Sequence, residues 1–266
     1  MNCSNDVSQS PAWRALPLCG RYFAVLFSDQ YASVGLLDHQ LTHWGLGVLP
    51  DGQCDVLGVW MAPTSFQTLS QTVLEDLKLR GVEIVRFFVS NDSAELRADA
   101  CIAYPGTTVL PSIGHLLCES LAQVAQRDRR ALADTIGAIA ALRSAEAADD
   151  ALSELANGPL GALYPAVVGR LRAVVEQLGP LYALAPRRRR LLLFGDGVVQ
   201  QMHQRLLHAV SRHGSFADRE VAMSFLAEAL RRAERFLQAH GMDCVAGARA
   251  PVARRGTRLG TQALAF

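Results

Sequence analysis

Arginine is the residue whose clustering first suggests chemistry. Arg187, Arg188, Arg189 and Arg190 form an uninterrupted run, Arg231, Arg232 and Arg235 recur in a later helical stretch, and Arg249, Arg254, Arg255 and Arg258 stud a Gly/Pro-containing tail. Guanidinium groups so placed suit phosphate oxygens, which they meet as a planar fork of donors. A solvated helix face gives the same pattern and is the commoner cause. The formal net charge is only +1, so a polyanion-binding surface would have to be local. Histidine and cysteine offer less. His39 and His43 flank an expected hairpin and read as surface residues sooner than as a metal pair, while His203 and His208 lie five apart on a helix and do not share a face well. Cys3, Cys19, Cys54, Cys101, Cys118 and Cys244 contain no CxxC pair and read as reduced thiols rather than zinc ligands or disulfides. Asp196 precedes Gly197 at the head of a helical stretch, where an aspartate caps exposed amides. Walker loops, HExxH helices and GxSxG elbows are absent.

The elements that must position these groups are legible. Residues 22–27, 41–49 and 54–61 read as three strands of an antiparallel meander, the last two joined by Pro50-Asp51-Gly52. Pro63-Thr64-Ser65 opens a helix with an apolar face of Leu69, Val73, Leu77 and Leu79, closed by Arg80-Gly81. A buried strand over 82–89, a helix over 94–103 ended by Pro105-Gly106, and a short strand over 107–110 follow. Residues 115–185 carry helical periodicity broken at Asn157-Gly158-Pro159 and Gly179-Pro180. Two long helices are expected near 196–212 and 218–240. This order predicts an α/β fold, a mixed sheet with helices on its faces. At 266 residues and 50% hydrophobic, the chain has material for one large domain or two small ones. No apolar run is long enough to span a membrane, and residues 1–10 lack a signal-peptide core. A cytoplasmic protein is expected, nucleoid-associated if it binds DNA.

Several segments together resemble the Mutator-type, or insertion-sequence, DNA transposases. They are WRALPLCGRY (Trp13 to Tyr22), DVLGVWMAPT (Asp55 to Thr64), VLEDLKLRGVEIVRFFVS (Val73 to Ser90), YPGTTVLPSIGH (Tyr104 to His115) and RHGSFADREVAMSFLAEAL (Arg212 to Leu230). The resemblance implies a ribonuclease-H-like core interrupted by an all-helical insertion. The division it implies is a disordered tail over 1–12, the first part of the core over 13–114, the insertion over 115–190, the long C-terminal helices of the core over 191–242, and a flexible basic tail over 243–266. Where the family carries a helical DNA-binding region ahead of the Trp/Pro-Leu segment, about a dozen polar residues stand here, so a truncated protein is expected.

The resemblance also implies two Asp and one Glu holding two Mg²⁺ ions, whose charge must be neutralised by carboxylates while they activate water or a 3′-hydroxyl. Carried over position by position, that triad falls on Ser28, Asn91 and Gln200, all uncharged. Asp29 and Asp92 stand one residue later and Asp196 four residues before Gln200; these are the candidate catalytic residues, with Asp29 and Asp92 the metal ligands if the protein is active. A one-residue step along a strand turns a side chain to the other face, so such substitution requires rearrangement at two strand ends. The family's Cys-x-x-His becomes Ser112 and His115, and Cys118-Glu119 replaces its Arg-Asn. Double-stranded DNA is the implied partner, with Arg187, Arg188, Arg189, Arg190, Arg205, Arg212, Arg231 and Arg232 as its contacts and a homodimer as a compatible assembly. The expectation is a transposase-family protein with impaired catalysis; the alternatives are a catalytically silent DNA-binding or regulatory derivative, and a helical interaction protein unrelated to DNA.

Overall fold

The computed structural model describes residues 8–9, 16–31, 41–62, 66–90, 93–194 and 196–239. The meander is present as β2 (Arg21–Tyr31), β3 (Leu41–Val48) and β4 (Cys54–Ala62), with a two-residue β1 (Ser8–Gln9) on the outer edge of β4. The turn between β3 and β4 closes through Leu49 N–H to the Gln53 carbonyl (2.8 Å), and the Asp51 carboxylate accepts from the Gln53 amide at 2.9 Å. Aspartate suits this place because its short side chain satisfies a turn amide two residues on. Gly47 on β3 lies under the Tyr22 ring, where a β-carbon would stand 2.5 Å from a ring carbon. The missing side chain lets an aromatic of the next strand lie flat on the backbone.

Beyond the meander come α1 (Phe66–Leu79), β5 (Ile84–Ser90), α2 (Ser93–Ala103) and β6 (Thr108–Pro111). The sheet order is β1-β4-β3-β2-β5-β6, with β5 parallel to β2 and β6 parallel to β5. Thus the fold is mixed α/β, and β5 begins two residues later than the sequence suggested. Helix α1 ends where Gly81 takes φ +96°, a left-handed conformation that glycine adopts without a steric penalty. Arg80 does more than close that helix. It is buried, donating to the carbonyls of Leu57 (2.6 Å) and Leu16 (3.0 Å) and pairing with Asp76 at 3.2 Å. The expected apolar face of α1 needs one correction. Val73 and Leu77 are buried together with Leu74, but Leu79 is 87% exposed, because two residues of helix rotate it some 200° away from Leu77. The Leu69 side chain lies outside the described residues.

Nine helices complete the described chain: α3 (Ile113–Ala122), α4 (Arg129–Ala140), α5 (Ala145–Asn157), α6 (Pro159–Leu163), α7 (Pro165–Gln177), α8 (Gly179–Tyr182), α9 (Pro186–Phe194), α10 (Asp196–His213) and α11 (Arg219–Ala239). Their breaks follow the sequence signals. Ser144 caps α5 by accepting from the Ala147 amide, and prolines stand at the starts of α6, α7 and α8, where the missing N–H would have had no helical partner.

The sheet divides two cores. On one face Tyr22, Val25, Phe27, Leu57, Trp60 and Phe88 pack beneath α1 and α2. The other face, with Ala24, Leu26, Trp44, Leu46, Val89 and Leu110, is continuous with the apolar interior of α4–α11. Helix α11 is fastened along β4 at two points: Arg219 donates to the Met61 carbonyl at 2.6 Å, and Glu234 accepts from the Val56 amide at 2.7 Å. Among the described residues no helix is long and apolar enough to cross a membrane. Cys54 is disulfide-bonded, which corrects the reading of six reduced thiols, while Cys19 and Cys101 are free and exposed. A pair formed by folding rather than by close sequence spacing leaves no CxxC signature. The partner sulfur is not among the described side chains.

Candidate functional site

Parallel pairing places the carboxyl ends of β2 and β5 side by side. Their ladder keeps a constant offset of 63 residues, from Arg21 opposite Ile84 to Leu26 opposite Val89. On its other side β2 pairs with β3, setting Ser28 opposite Trp44 and Asp29 opposite His43. Positions 28 and 29 therefore lie within β2, which runs four residues beyond the strand end at Phe27 that the sequence suggested. Asn91 and Asp92 lie outside the described residues, as do the side chains of Ser28, Asp29, Asp196 and Gln200. Asp196 is the first residue of α10 and Gln200 stands in its second turn.

Helix α10 reaches the sheet through His203, three residues beyond Gln200 and so on nearly the same stripe. Trp44 Nε1 donates to His203 Nδ1 at 3.5 Å, a contact buried between helix and sheet. Both side chains are almost fully enclosed, at 1% and 3% exposure. A histidine accepting at Nδ1 carries its proton on Nε2, and His203 Nε2 has no hydrogen-bond partner among the described residues. Burial lowers its pKa from the usual 6.5 to about 4, because an imidazolium there would lose its hydration without gaining a counter-charge. His203 is neutral at physiological pH. His43, read from the sequence as a surface residue, is instead buried at 2% exposure; it points into the sheet's packing because β3 is covered on both faces. His39 lies outside the described residues, and His208 is exposed.

Below this region Tyr22 donates to Asp55 Oδ2 at 3.0 Å, and its phenol is held above the ordinary range by burial and by the Asp55 charge. Burial likewise raises the Glu234 carboxyl above its ordinary value; the Val56 amide opposes the shift and Asp55 adds to it. Ser112, at the family's cysteine position, is buried just ahead of α3, its amide donating to the Ser90 carbonyl at 3.1 Å. His115 falls in the first turn of α3, with its side chain outside the described residues. Among the described residues no three His, Cys, Asp or Glu side chains converge as metal ligands would.

The arginines separate into kinds that their sequence run conceals. Arg187 and Arg188 are exposed on α9, Arg188 with its guanidinium 5.1 Å from the Phe23 ring centre. Arg189 is 6% exposed and turned inward, near the Tyr182 ring and the Arg143 carbonyl. One helical residue is 100° of rotation, so a run of four cannot present all its charges on one side. The Arg190 side chain lies outside the described residues. Arg205 stacks on Phe236 at 3.8 Å, at a cleft of about 260 Å³ between α10 and α11 that Phe225, Glu228 and Arg232 also line. Arg232 pairs with Glu228 at 3.0 Å, which lowers the Glu228 pKa together with Arg235. Arg212 is exposed at the end of α10, and Arg231 is partly exposed on α11. Sequence reasoning did not single out Trp44, Arg86 or Glu234. A tryptophan flanked by histidine and glycine in a strand, and a third glutamate late in an amphipathic helix, were the available signals.

The fold is that of a mixed α/β protein in which two adjacent parallel strands, β2 and β5, lie in a sheet that the long helix α10 meets through His203. The model of the family described as "Transposase, Mutator family" matches residues 6–239, and the chain belongs to that family. It is 29% identical over 217 residues to the transposase for insertion sequence element ISRM3 of Rhizobium meliloti (strain 1021), covering 80% of this chain and 54% of that protein. It is 30% identical over 218 residues to a probable transposase for an ISRM3-like element of Sinorhizobium fredii (strain NBRC 101917 / NGR234), with the same two shares. A probable insertion-sequence transposase of Corynebacterium diphtheriae is 25% identical over 185 residues, 69% of this chain and 53% of its own length. The chain spans about half the length of the curated relatives it matches.

Proposed function

We propose that this chain is the core of a DNA transposition protein, of ribonuclease-H-like architecture, whose capacity for metal-dependent strand cleavage is impaired. Support for the architecture comes from the order β4-β3-β2-β5-β6, with an antiparallel meander followed by two parallel strands. On this reading residues 13–114 and 191–242 form the core, and residues 115–190 are an insertion whose helices share the core's apolar interior. Double-stranded DNA is the partner, and the cell's chromosome-bearing compartment is where the protein acts.

The observation that carries the impairment is the chemistry of the aligned positions. Ser28, Asn91 and Gln200 offer a hydroxyl and two amides, and such donors cannot offset the charge of paired divalent ions. They do not fit two Mg²⁺. The nearby acids are poor substitutes. The separation of 63 residues in the β2–β5 ladder equals the sequence separation of both the Ser28/Asn91 and the Asp29/Asp92 pairs. Strand alternation, however, sets successive positions on opposite faces of a strand, so an acid one residue later is no direct replacement for the aligned position. A catalytically silent derivative that binds DNA is favoured by the same observation.

The test is direct. Purified protein with Mg²⁺ or Mn²⁺ and duplexes carrying the element's ends is expected to give neither nicking nor strand transfer, yet to bind duplex. Metal-dependent product that is lost in Asp29→Ala overturns the impairment, and failure to bind any duplex at low salt overturns the DNA reading.

A further inference from the structure

A cationic surface lies toward the amino ends of β2 and β5, away from the candidate site. Phe23, near the start of β2, meets Phe87 of β5 edge to face, with ring centres 5.5 Å apart. Arg188 of α9 lies 5.1 Å above the Phe23 ring and Arg86 of β5 lies 5.4 Å from the Phe87 ring. Both rings are buried, while Arg86, Arg187 and Arg188 are exposed. No ion pair engages any of these three arginines among the described residues, in contrast to Arg80, Arg232 and Arg235. Burial of both rings over the sheet leaves each guanidinium stacked on one side and open on the other. Stacking restricts the long side chain before any partner arrives, so less conformational entropy remains to be lost on binding.

We propose that Arg86, Arg187 and Arg188 form a contact surface for the phosphate backbone of duplex DNA, distinct from the candidate site. It rests on the reading of the chain as a DNA-acting protein and adds where the duplex is held. From Phe23 to position 28 is five residues of strand, about 17 Å. A duplex held here would therefore be gripped about that far from the carboxyl ends of β2 and β5. Charge without hydrogen-bonding side chains aimed at base edges makes the grip indifferent to sequence. Arg189, turned inward, takes no part. A carboxylate-rich protein surface is the competing occupant, and the acidic face of α5 in a second copy would supply one, with Glu146, Asp149, Asp150 and Glu154.

The test measures binding of the chain to a duplex of arbitrary sequence by fluorescence anisotropy over a series of salt concentrations. Each phosphate contact contributes about 0.9 to the slope of log K against log salt. Arg86→Gln with Arg188→Gln is therefore expected to lower that slope by about 1.8, equally for unrelated sequences, while Arg86→Lys with Arg188→Lys retains it. Arg187 touches no ring among the described residues, so Arg187→Gln alone loses about 0.9 of slope even where the double variant fails to fold. An unchanged slope in folded variants overturns the surface while leaving DNA binding intact; absence of duplex binding by the parent chain overturns the DNA reading with it. Salt-sensitive self-association that needs Arg86, with duplex affinity untouched, assigns the surface to the acidic partner instead.

Discussion

Acidification probes the seam between α10 and the sheet. His203 is enclosed, neutral and bonded through Nδ1 to Trp44, and burial holds its pKa at about 4 against 6.5 for an open histidine. Between those two values the unfolded chain binds a proton that the folded chain does not. The associated stability is fully present above pH 6.5 and is lost progressively as pH falls toward 4, below which this group adds no further slope. Moving from about pH 7.5 to about pH 5 spans most of one protonation, and the linkage relation gives a loss of about 2 kcal/mol from this residue alone. Glu234 works in the opposite sense, because its raised carboxyl pKa contributes stability that is present at low pH and lost as pH rises. A single-site comparison isolates the histidine. His203→Gln keeps an acceptor for Trp44 and carries no titratable proton. Urea unfolding of both proteins at the two pH values, followed by tryptophan emission, is expected to show a parent-specific loss of about 2 kcal/mol. Equal losses in parent and variant would refute the assignment of a buried, uncharged imidazole at this seam.

Other consequences follow from packing and from the fastening of α11. Gly47→Ala drives a methyl into the Tyr22 ring, which is held by its bond to Asp55, and is expected to cost about 1–3 kcal/mol; a denaturation midpoint unchanged from the parent would contradict that packing. Glu234→Ala leaves the Val56 amide without its 2.7 Å acceptor and is expected to cost about 1–3 kcal/mol. Glu234→Gln preserves the acceptor and removes the buried charge, so it should equal or exceed the parent in stability at neutral pH, and equal losses in both variants would show that the charge itself matters.

The elements were legible because each rests on local signals. Pro50-Asp51-Gly52 marks a hairpin turn, Arg80-Gly81 ends a helix, and prolines at 159, 165, 180 and 186 stand at or near helix starts. Sidedness was less accessible. Leu79 fits a loose apolar spacing yet faces solvent, His43 sits on a strand whose two faces are both covered, and Arg189 turns inward from a run that reads as uniformly exposed. Each of these depends on which neighbour covers a face, and one residue of context on a strand or helix does not carry that information. The Trp44–His203 contact spans 159 residues, a pairing that only the assembled sheet and α10 create. The Cys54 disulfide was invisible for the same reason. At the candidate site the sequence indicated β2 and β5 but ended β2 at Phe27, four residues short of Tyr31, because the polar Ser28, Asp29 and Gln30 interrupt the apolar run.

The claim on which the rest depends is that positions 28, 91 and 200 no longer supply negative charge at one place. Manganese titration followed by electron paramagnetic resonance measures this directly, using the parent chain and Ser28→Asp with Asn91→Asp and Gln200→Glu. The parent is expected to leave added Mn²⁺ free at submillimolar concentration, whereas the triple variant binds it. Tight Mn²⁺ binding by the parent, abolished by Asp29→Ala, would contradict the account.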